Sequence, residues 1–259
     1  MIDMTIKTKN CQPGHFYAVG VGPGAPDLIT LRAAGLIESA DTVIVPRSEL
    51  AGESLALLTI RDLIDEQEVI EHVYPMKRDS SRTRSCWAEV AAEVAARVSA
   101  GLAVVQVTIG DPMVYSTSSY LLESLVDLLP AECIHVVPGI SAFQATASVL
   151  GEPLTLQEDR LNIMPATDMD AVARALECCE TLVLYKVGPR LRQLGALLES
   201  RNLLDRARLA CYVEQQGREA IFRNFRDALA DDSHGYMSTV VVRLGRRSWE
   251  QTPSMGKVV

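Results

Sequence analysis

The stretch from Val104 to Leu122, VVQVTIGDPMVYSTSSYLL, decides how this chain of 259 residues folds. Val104 to Thr108 is a run of β-branched and apolar residues that stops abruptly at Ile109, Gly110, Asp111 and Pro112. The hydroxyl cluster Ser116, Thr117, Ser118 and Ser119 then leads into an amphipathic stretch from Tyr120 to Leu129. The pattern reads as strand, tight loop and helix. In an open α/β sheet such a loop stands at the carboxyl end of its strand, the edge where ligands bind. Four hydroxyls are too many for a simple helix start, and the phenol of Tyr115 just before them is placed to face a ligand.

Outward from this stretch, strands and helices alternate. Upstream, strands are expected at His15 to Val21, Thr42 to Val45 (closed by Pro46) and Glu68 to Val73, and helices at Asp27 to Ser39, with Asp27 as N-cap, and at Trp87 to Ala100, ended by Gly101. The connection from Tyr74 to Ser85 reads as a polar, basic loop. Downstream, the expected strands are Cys133 to Val137, Leu161 to Met164, Thr181 to Lys186, Arg208 to Glu214 and Ser238 to Leu244. Helices are expected over Ile140 to Leu150, Met169 to Cys178, Pro189 to Arg201 and Asp227 to Ala230, with a hairpin-like piece at Glu219 to Phe222. The expected fold class is α/β in two αβα lobes. Residues 13–138 would form the amino-terminal lobe, 139–245 the carboxyl-terminal lobe and 246–259 a loosely held tail, with the boundary falling near Pro138 to Leu150.

Composition narrows the function classes. Hydrophobic residues make up 48% of the chain, enough for real cores. The 25 lysines and arginines stand against 33 aspartates and glutamates, a net charge of −8, which disfavours nucleic acid and anionic membrane as partners. An anionic ligand would need a local basic patch. The six cysteines form no CxxC pair and no zinc-type spacing with histidine, so reduced, mostly buried thiols of a cytoplasmic protein are expected, with no protein-held metal. His15, His72, His135 and His234 are scattered near strand ends, where structural roles are expected. No stretch approaches the ~20 apolar residues needed to span a bilayer.

Two further strand ends resemble the central one. Gly20-Val21-Gly22-Pro23-Gly24-Ala25 formally fits a dinucleotide-binding fingerprint, with Asp41 at about the expected distance. In a dinucleotide fold, however, the acidic residue sits at the carboxyl end of the second strand, whereas Asp41 precedes the strand Thr42 to Val45. Pro23 also removes a backbone donor from the loop. Pro138-Gly139-Ile140-Ser141-Ala142 is the third such strand end, where small side chains let a ligand approach the backbone. Three strand ends of this kind suggest one shared ligand site.

Six separated motifs, in order, give a specific resemblance: GVGPGAPDLITLRAAGLIESAD, TIGDPMVYST, VPGISAF, IMPAT, LYKVG and YVEQQGREAIF. Together they resemble the tetrapyrrole methylase family from about His15 to Leu244. The resemblance implies a homodimeric two-lobed α/β enzyme that binds S-adenosylmethionine in a cleft between its lobes and methylates a carbon of a tetrapyrrole, here a corrin precursor. It implies that Pro23 belongs to the cleft floor. Ile109, Gly110, Asp111 and Val114, with Ser116 and Thr117 beside them, would hold the amino-acid part of the donor. Ser141, Ala142, Lys186, Gln216, Thr239 and Val240 would lie on the adenosine side. The chain departs from the family pattern at Ile109, where glycine is frequent, and at Lys186, where a medium apolar residue is frequent, so Lys186 would offer backbone groups.

Methyl transfer from a sulfonium to an electron-rich carbon needs positioning and no protein nucleophile. A base to take the proton from the methylated carbon would come from Asp111, Tyr115 or Glu214. The family's substrate carries many carboxylates, and the basic cluster Lys77, Arg78, Arg82 and Arg84 is the candidate clamp. A nicotinamide-dependent dehydrogenase, through the glycine fingerprint alone, and a non-enzymatic tetrapyrrole-binding protein are the competing classes.

Overall fold

A computed structural model describes residues 9–48, 54–74, 80–230 and 237–245. The chain divides into two compact units, Met1–Ser141 and Ala142–Val259.

The first unit runs β1 (Phe16–Gly20), α1 (Leu31–Glu38), β2 (Thr42–Ser48), α2 (Leu55–Ile60), β3 (Glu68–Tyr74), α3 (Ser80–Ser99), β4 (Val104–Thr108), α4 (Ser118–Leu125) and β5 (Ile134–Val137). Its five strands pair in parallel in the order β3-β2-β4-β1-β5. The central strands β1 and β4 are buried at every position, which is why they read as near-continuous apolar runs. Side chains alternate between two cores. Tyr17, Val19, Val43, Val45, Val105 and Val107 pack with Leu36 and Ile37 of α1 and Ile60 of α2. Phe16, Ala18, Ile44 and Val104 pack with Trp87, Val90 and Val94 of α3 and Leu121 and Leu125 of α4. The unit is therefore a helix–sheet–helix sandwich.

The second unit runs α5 (Ala142–Leu150), β6 (Leu161–Pro165), α6 (Met169–Ala175), β7 (Thr181–Tyr185), α7 (Leu191–Ser200), β8 (Ala207–Cys211), β9 (Ala220–Phe222), α8 (Phe225–Ala230) and β10 (Ser238–Arg243). Its sheet has the order β6-β7-β10-β8-β9. β10 lies antiparallel between β7 and β8, so its amino end sits beside their carboxyl ends, with Thr239 opposite both Tyr185 and Ala210. Leu182, Leu184, Leu209, Val240 and Val242 pack with α6, α7 and α8 on one face. Val183 and Val241 pack with Leu150 of α5 and with Ile163 on the other. At the opposite end of β10, Arg243 reaches Glu152 at 2.9 Å, and Arg208 approaches the same carboxylate at 3.7 Å.

Several expectations need correction. Asp27 caps nothing: it lies in a single 3-10 turn, Pro26–Leu28, and the N-cap of α1 is Thr30, whose hydroxyl accepts from the Ala33 N–H. Pro46 does not close β2, which continues to Ser48. β4 pairs with β2 only as far as Ile44, so beyond it the proline's missing donor leaves no central ladder bond unmade. The supposed loop from Tyr74 to Ser85 is helical from Ser80 onward. The strand expected to reach Glu214 ends at Cys211, because Tyr212 and Glu214 take left-handed backbone angles. Of the six free cysteines only Cys179 and Cys211 are buried, and Cys178 is exposed. The tail 246–259 lies outside the described residues.

At the amino end of the first sheet, His15 Nδ1 and His135 Nε2 share a hydrogen bond of 2.8 Å, and His135 stacks on Tyr17 with ring centroids 4.7 Å apart. Burial, then the neighbouring His15 and Lys9, lower the His135 pKa below its ordinary 6.5. The folded state therefore favours the neutral ring, and this contribution to stability is present above about pH 6.5 and lost as the pH falls through the lowered value. Wild type should lose denaturant midpoint between about pH 6.5 and pH 5 more steeply than His135→Gln. Parallel urea melts across that range measure the difference, and equal slopes would remove the histidine pair as the cause.

Candidate functional site

In the first unit, the loops after β1, β4 and β5 meet at one edge of the sheet. The Val21 N–H donates to the Thr108 carbonyl at 2.9 Å, and Gly22 and Gly110 form an isolated bridge in which the Gly110 N–H donates to the Gly22 carbonyl at 2.7 Å. The three chains approach so closely that a Cβ on Gly20 would stand 2.5 Å from the Gly110 carbonyl oxygen and 2.7 Å from the Gly139 nitrogen. Gly110 differs: its φ of +78° favours glycine, but a Cβ there would meet only open space. The backbone at the crossing is therefore both closely packed beneath and open above.

Asp111 fastens this arrangement. One carboxylate oxygen accepts the Met113 N–H at 2.8 Å, forming a local turn, and the other accepts the Gly139 N–H at 3.1 Å, tying the β4 loop to the β5 loop. Ser116 is also engaged internally. Its hydroxyl lies 3.1 Å from that of Thr108 and accepts the Ser118 N–H. Ile109, Val114 and Thr117 are half-buried in the same loop, Pro23 is buried in the β1 loop, and Ser141 is buried at the end of the β5 loop. Tyr115 is half-exposed on a left-handed backbone with φ of +51°. Burial raises its phenol pKa, so the group is a neutral donor at pH 7.

In the second unit, the expected residues gather at the carboxyl edge of β7 and β8. Lys186 follows β7 with φ of +58°, and Tyr212 and Glu214 follow β8 with φ of +49° and +59°. Left-handed angles on bulky residues at strand ends on one edge of a sheet are the kind of strain that concentrates at ligand sites. The Glu214 N–H donates to Glu219 Oε1 at 2.8 Å. Thr239 is at this edge too, whereas the Val240 side chain packs in the core. Gln216 is exposed, and it is its neighbour Gln215 that is buried, with Nε2 3.6 Å from Met237 Sδ. Nothing in the repeated glutamines distinguishes the two. Ala142 opens α5 in this unit.

Of the basic cluster, Arg82 and Arg84 fall in the first turns of α3, and Lys77 and Arg78 lie outside the described residues. Asp41 sits at the amino edge of the first sheet, where its carboxylate accepts the Ala103 N–H at 2.7 Å, so it cannot serve a nucleotide ribose at the carboxyl edge. Among the described residues no group of three or more histidine, cysteine or acidic side chains is arranged to hold a metal ion, and no helix is long and apolar enough to cross a membrane.

Two five-stranded sheets with ligand-type loops at their carboxyl edges define an α/β protein of the tetrapyrrole methylase fold. The family Tetrapyrrole (Corrin/Porphyrin) Methylases matches residues 15–230, and the chain belongs to that family, as an S-adenosylmethionine-dependent tetrapyrrole C-methyltransferase. The chain is 36% identical over 239 residues to a cobalt-precorrin-2 C(20)-methyltransferase of Salmonella typhimurium, covering 92% of this chain and 98% of that one. Among solved structures it resembles a cobalt precorrin-4 methyltransferase, with a TM-score of 0.70 at 20% identity over 90% of this chain and 97% of that one. It also resembles a uroporphyrin-III C-methyl transferase from Thermus thermophilus complexed with S-adenosylhomocysteine, with a TM-score of 0.60 at 21% identity over 89% and 98%. At these identities the two structures bear on the fold alone.

Proposed function

We propose that this protein transfers a methyl group from S-adenosylmethionine to ring carbon 20 of precorrin-2 or of cobalt-factor II, in the synthesis of cobalamin. The observation that carries the reading is the crossing of the β1, β4 and β5 loops, fastened by Asp111 and open above Gly110. Identity with the Salmonella relative over nearly the whole of both chains supports the substrate.

The residues fit the donor. Open space over Gly110 admits a ligand against backbone, and the half-buried Ile109, Val114 and Thr117 line the loop that would hold the amino-acid part. On the adenosine side, Lys186 would act through its backbone, beside Thr239 at the adjacent strand end. When bound, the donor supplies an electrophilic methyl. The chain's own contribution is to fix that group in line with the nucleophilic carbon. Asp111 is committed to two backbone donors and Tyr115 is neutral, which leaves Glu214 as the better candidate to take the proton from the methylated carbon. Arg82 and Arg84 on α3 remain proposed partners for substrate carboxylates, together with Lys77 and Arg78, and a homodimer is the proposed assembly.

The deciding experiment is anaerobic incubation with S-adenosylmethionine and, in parallel, precorrin-2 and cobalt-factor II, following product mass and S-adenosylhomocysteine release. One added methyl, placed at carbon 20 by NMR with labelled donor, is the expected result. A methyl at another ring position, or on uroporphyrinogen III instead, would move the chain to a sister activity. Binding of S-adenosylhomocysteine with no mass gained by any of these rings would remove the substrate assignment.

A further inference from the structure

The β8–β9 connection carries a cation that the reading above leaves unused. The guanidinium carbon of Arg218 lies 4.1 Å from the centroid of the Tyr212 ring. Tyr212 is itself fixed: it is half-buried, its backbone is left-handed, and its N–H donates to the Met237 carbonyl at 2.9 Å. The main chain at Arg218 is fixed as well, because its backbone N–H donates to the Gln215 carbonyl at 3.0 Å. The side chain is exposed and forms no ion pair with any carboxylate among the described residues. Three other exposed arginines of this unit are engaged, Arg160 with Glu180, Arg201 with Glu177, and Arg226 with Glu199 and Asp205, while Arg174, also exposed, has no aromatic ring to orient it among the described residues. Arg218 thus presents a pre-oriented, unneutralised fork at the carboxyl edge of the second sheet, on a chain whose net charge is −8.

A guanidinium stacked on an aromatic face keeps its edge N–H groups outward, where they match a carboxylate in a bidentate pair. Orientation by the ring also reduces the ordering entropy such a pair would otherwise cost. We infer that Arg218, positioned by Tyr212, anchors a carboxylate on the periphery of the tetrapyrrole substrate. The inference rests on the proposed function, since it is that substrate which brings several carboxylates to an acidic protein.

The test is an anaerobic spectrophotometric titration of the full chain with cobalt-factor II and with precorrin-2, paired with calorimetric titration of S-adenosylhomocysteine. Arg218→Ala should weaken tetrapyrrole binding about tenfold, the loss of one charged hydrogen-bonded pair. Arg218→Lys should weaken it less, since a point charge without the fork remains. Tyr212→Ala should fall between, and the S-adenosylhomocysteine Kd of Arg218→Ala should stay within about twofold of wild type. In turnover the loss should fall on KM and leave kcat near wild type. Unchanged tetrapyrrole affinity in Arg218→Ala overturns the inference alone, and so does a loss confined to S-adenosylhomocysteine, which would assign the cation to the donor. If wild type binds S-adenosylhomocysteine but neither tetrapyrrole, the proposed substrate falls and this inference falls with it.

Discussion

Gly20→Ala should cost about 3 kcal/mol or more of stability and at least tenfold in S-adenosylhomocysteine affinity. The added carbon would meet the Gly110 carbonyl oxygen at 2.5 Å and the Gly139 nitrogen at 2.7 Å, and both are backbone atoms that no rotamer change can move aside. Relief requires β1 to separate from the loops after β4 and β5, which is the arrangement proposed to hold the donor. Gly101→Ala is the control. Its Cβ would meet nothing within 4 Å, and its φ of +87° alone sets a cost of about 1 kcal/mol with no effect on ligand binding. Chemical denaturation and isothermal titration of both variants provide the comparison. A Gly20→Ala protein that melts and binds like wild type would mean that the close crossing is not what shapes the site.

Asp111→Asn separates two roles for the carboxylate. As a fastener, Asp111 accepts from both Met113 and Gly139. The amide keeps one acceptor oxygen and turns a donor towards the other N–H, so one loop is released and a charged hydrogen bond is lost. Donor affinity should then fall about tenfold or more, at roughly 1.5–3 kcal/mol for a bond to a charged group. As a general base, Asp111 would instead lose kcat while S-adenosylhomocysteine affinity stayed unchanged. The expected result is a large loss in affinity. An intact Kd with abolished turnover would return Asp111 to the proton-transfer step and displace Glu214 from it.

Much of this was legible from residues alone. Buried strands write themselves as apolar runs: Val104 to Thr108 is found where expected, and the strand expected over Thr181 to Lys186 is found one residue shorter, ending at Tyr185. Gly110 and Pro138 marked the ends of β4 and β5, and Gly101 that of α3. Asp27 misled because Asp after Pro is as good a start for one 3-10 turn as for a helix, and Thr30 made the competing cap. Pro46 misled because its cost depends on which neighbour lies alongside, and that is a property of the sheet. The Asp111 turn onto Met113 is a two-residue pattern that sequence can carry, but its bond to Gly139 joins positions 28 apart. The left-handed angles at Tyr115, Lys186, Tyr212 and Glu214 leave no mark in composition, since none of these residues favours them. For the same reason the stacking of Arg218 on Tyr212 could be found only once the turn after β8 had been traced.

The bridge between Gly22 and Gly110, together with the bond from Gly139 to Asp111, has a consequence for motion. These amide protons are held by groups on neighbouring loops, so none can reach solvent until the shared crossing opens. The three connections should therefore exchange hydrogen for deuterium with one common opening free energy, as a single cooperative unit distinct from the ends of the helices around it. A ligand seated on that crossing would slow all three together, and its grip would be visible at Gly139 as strongly as at Gly110.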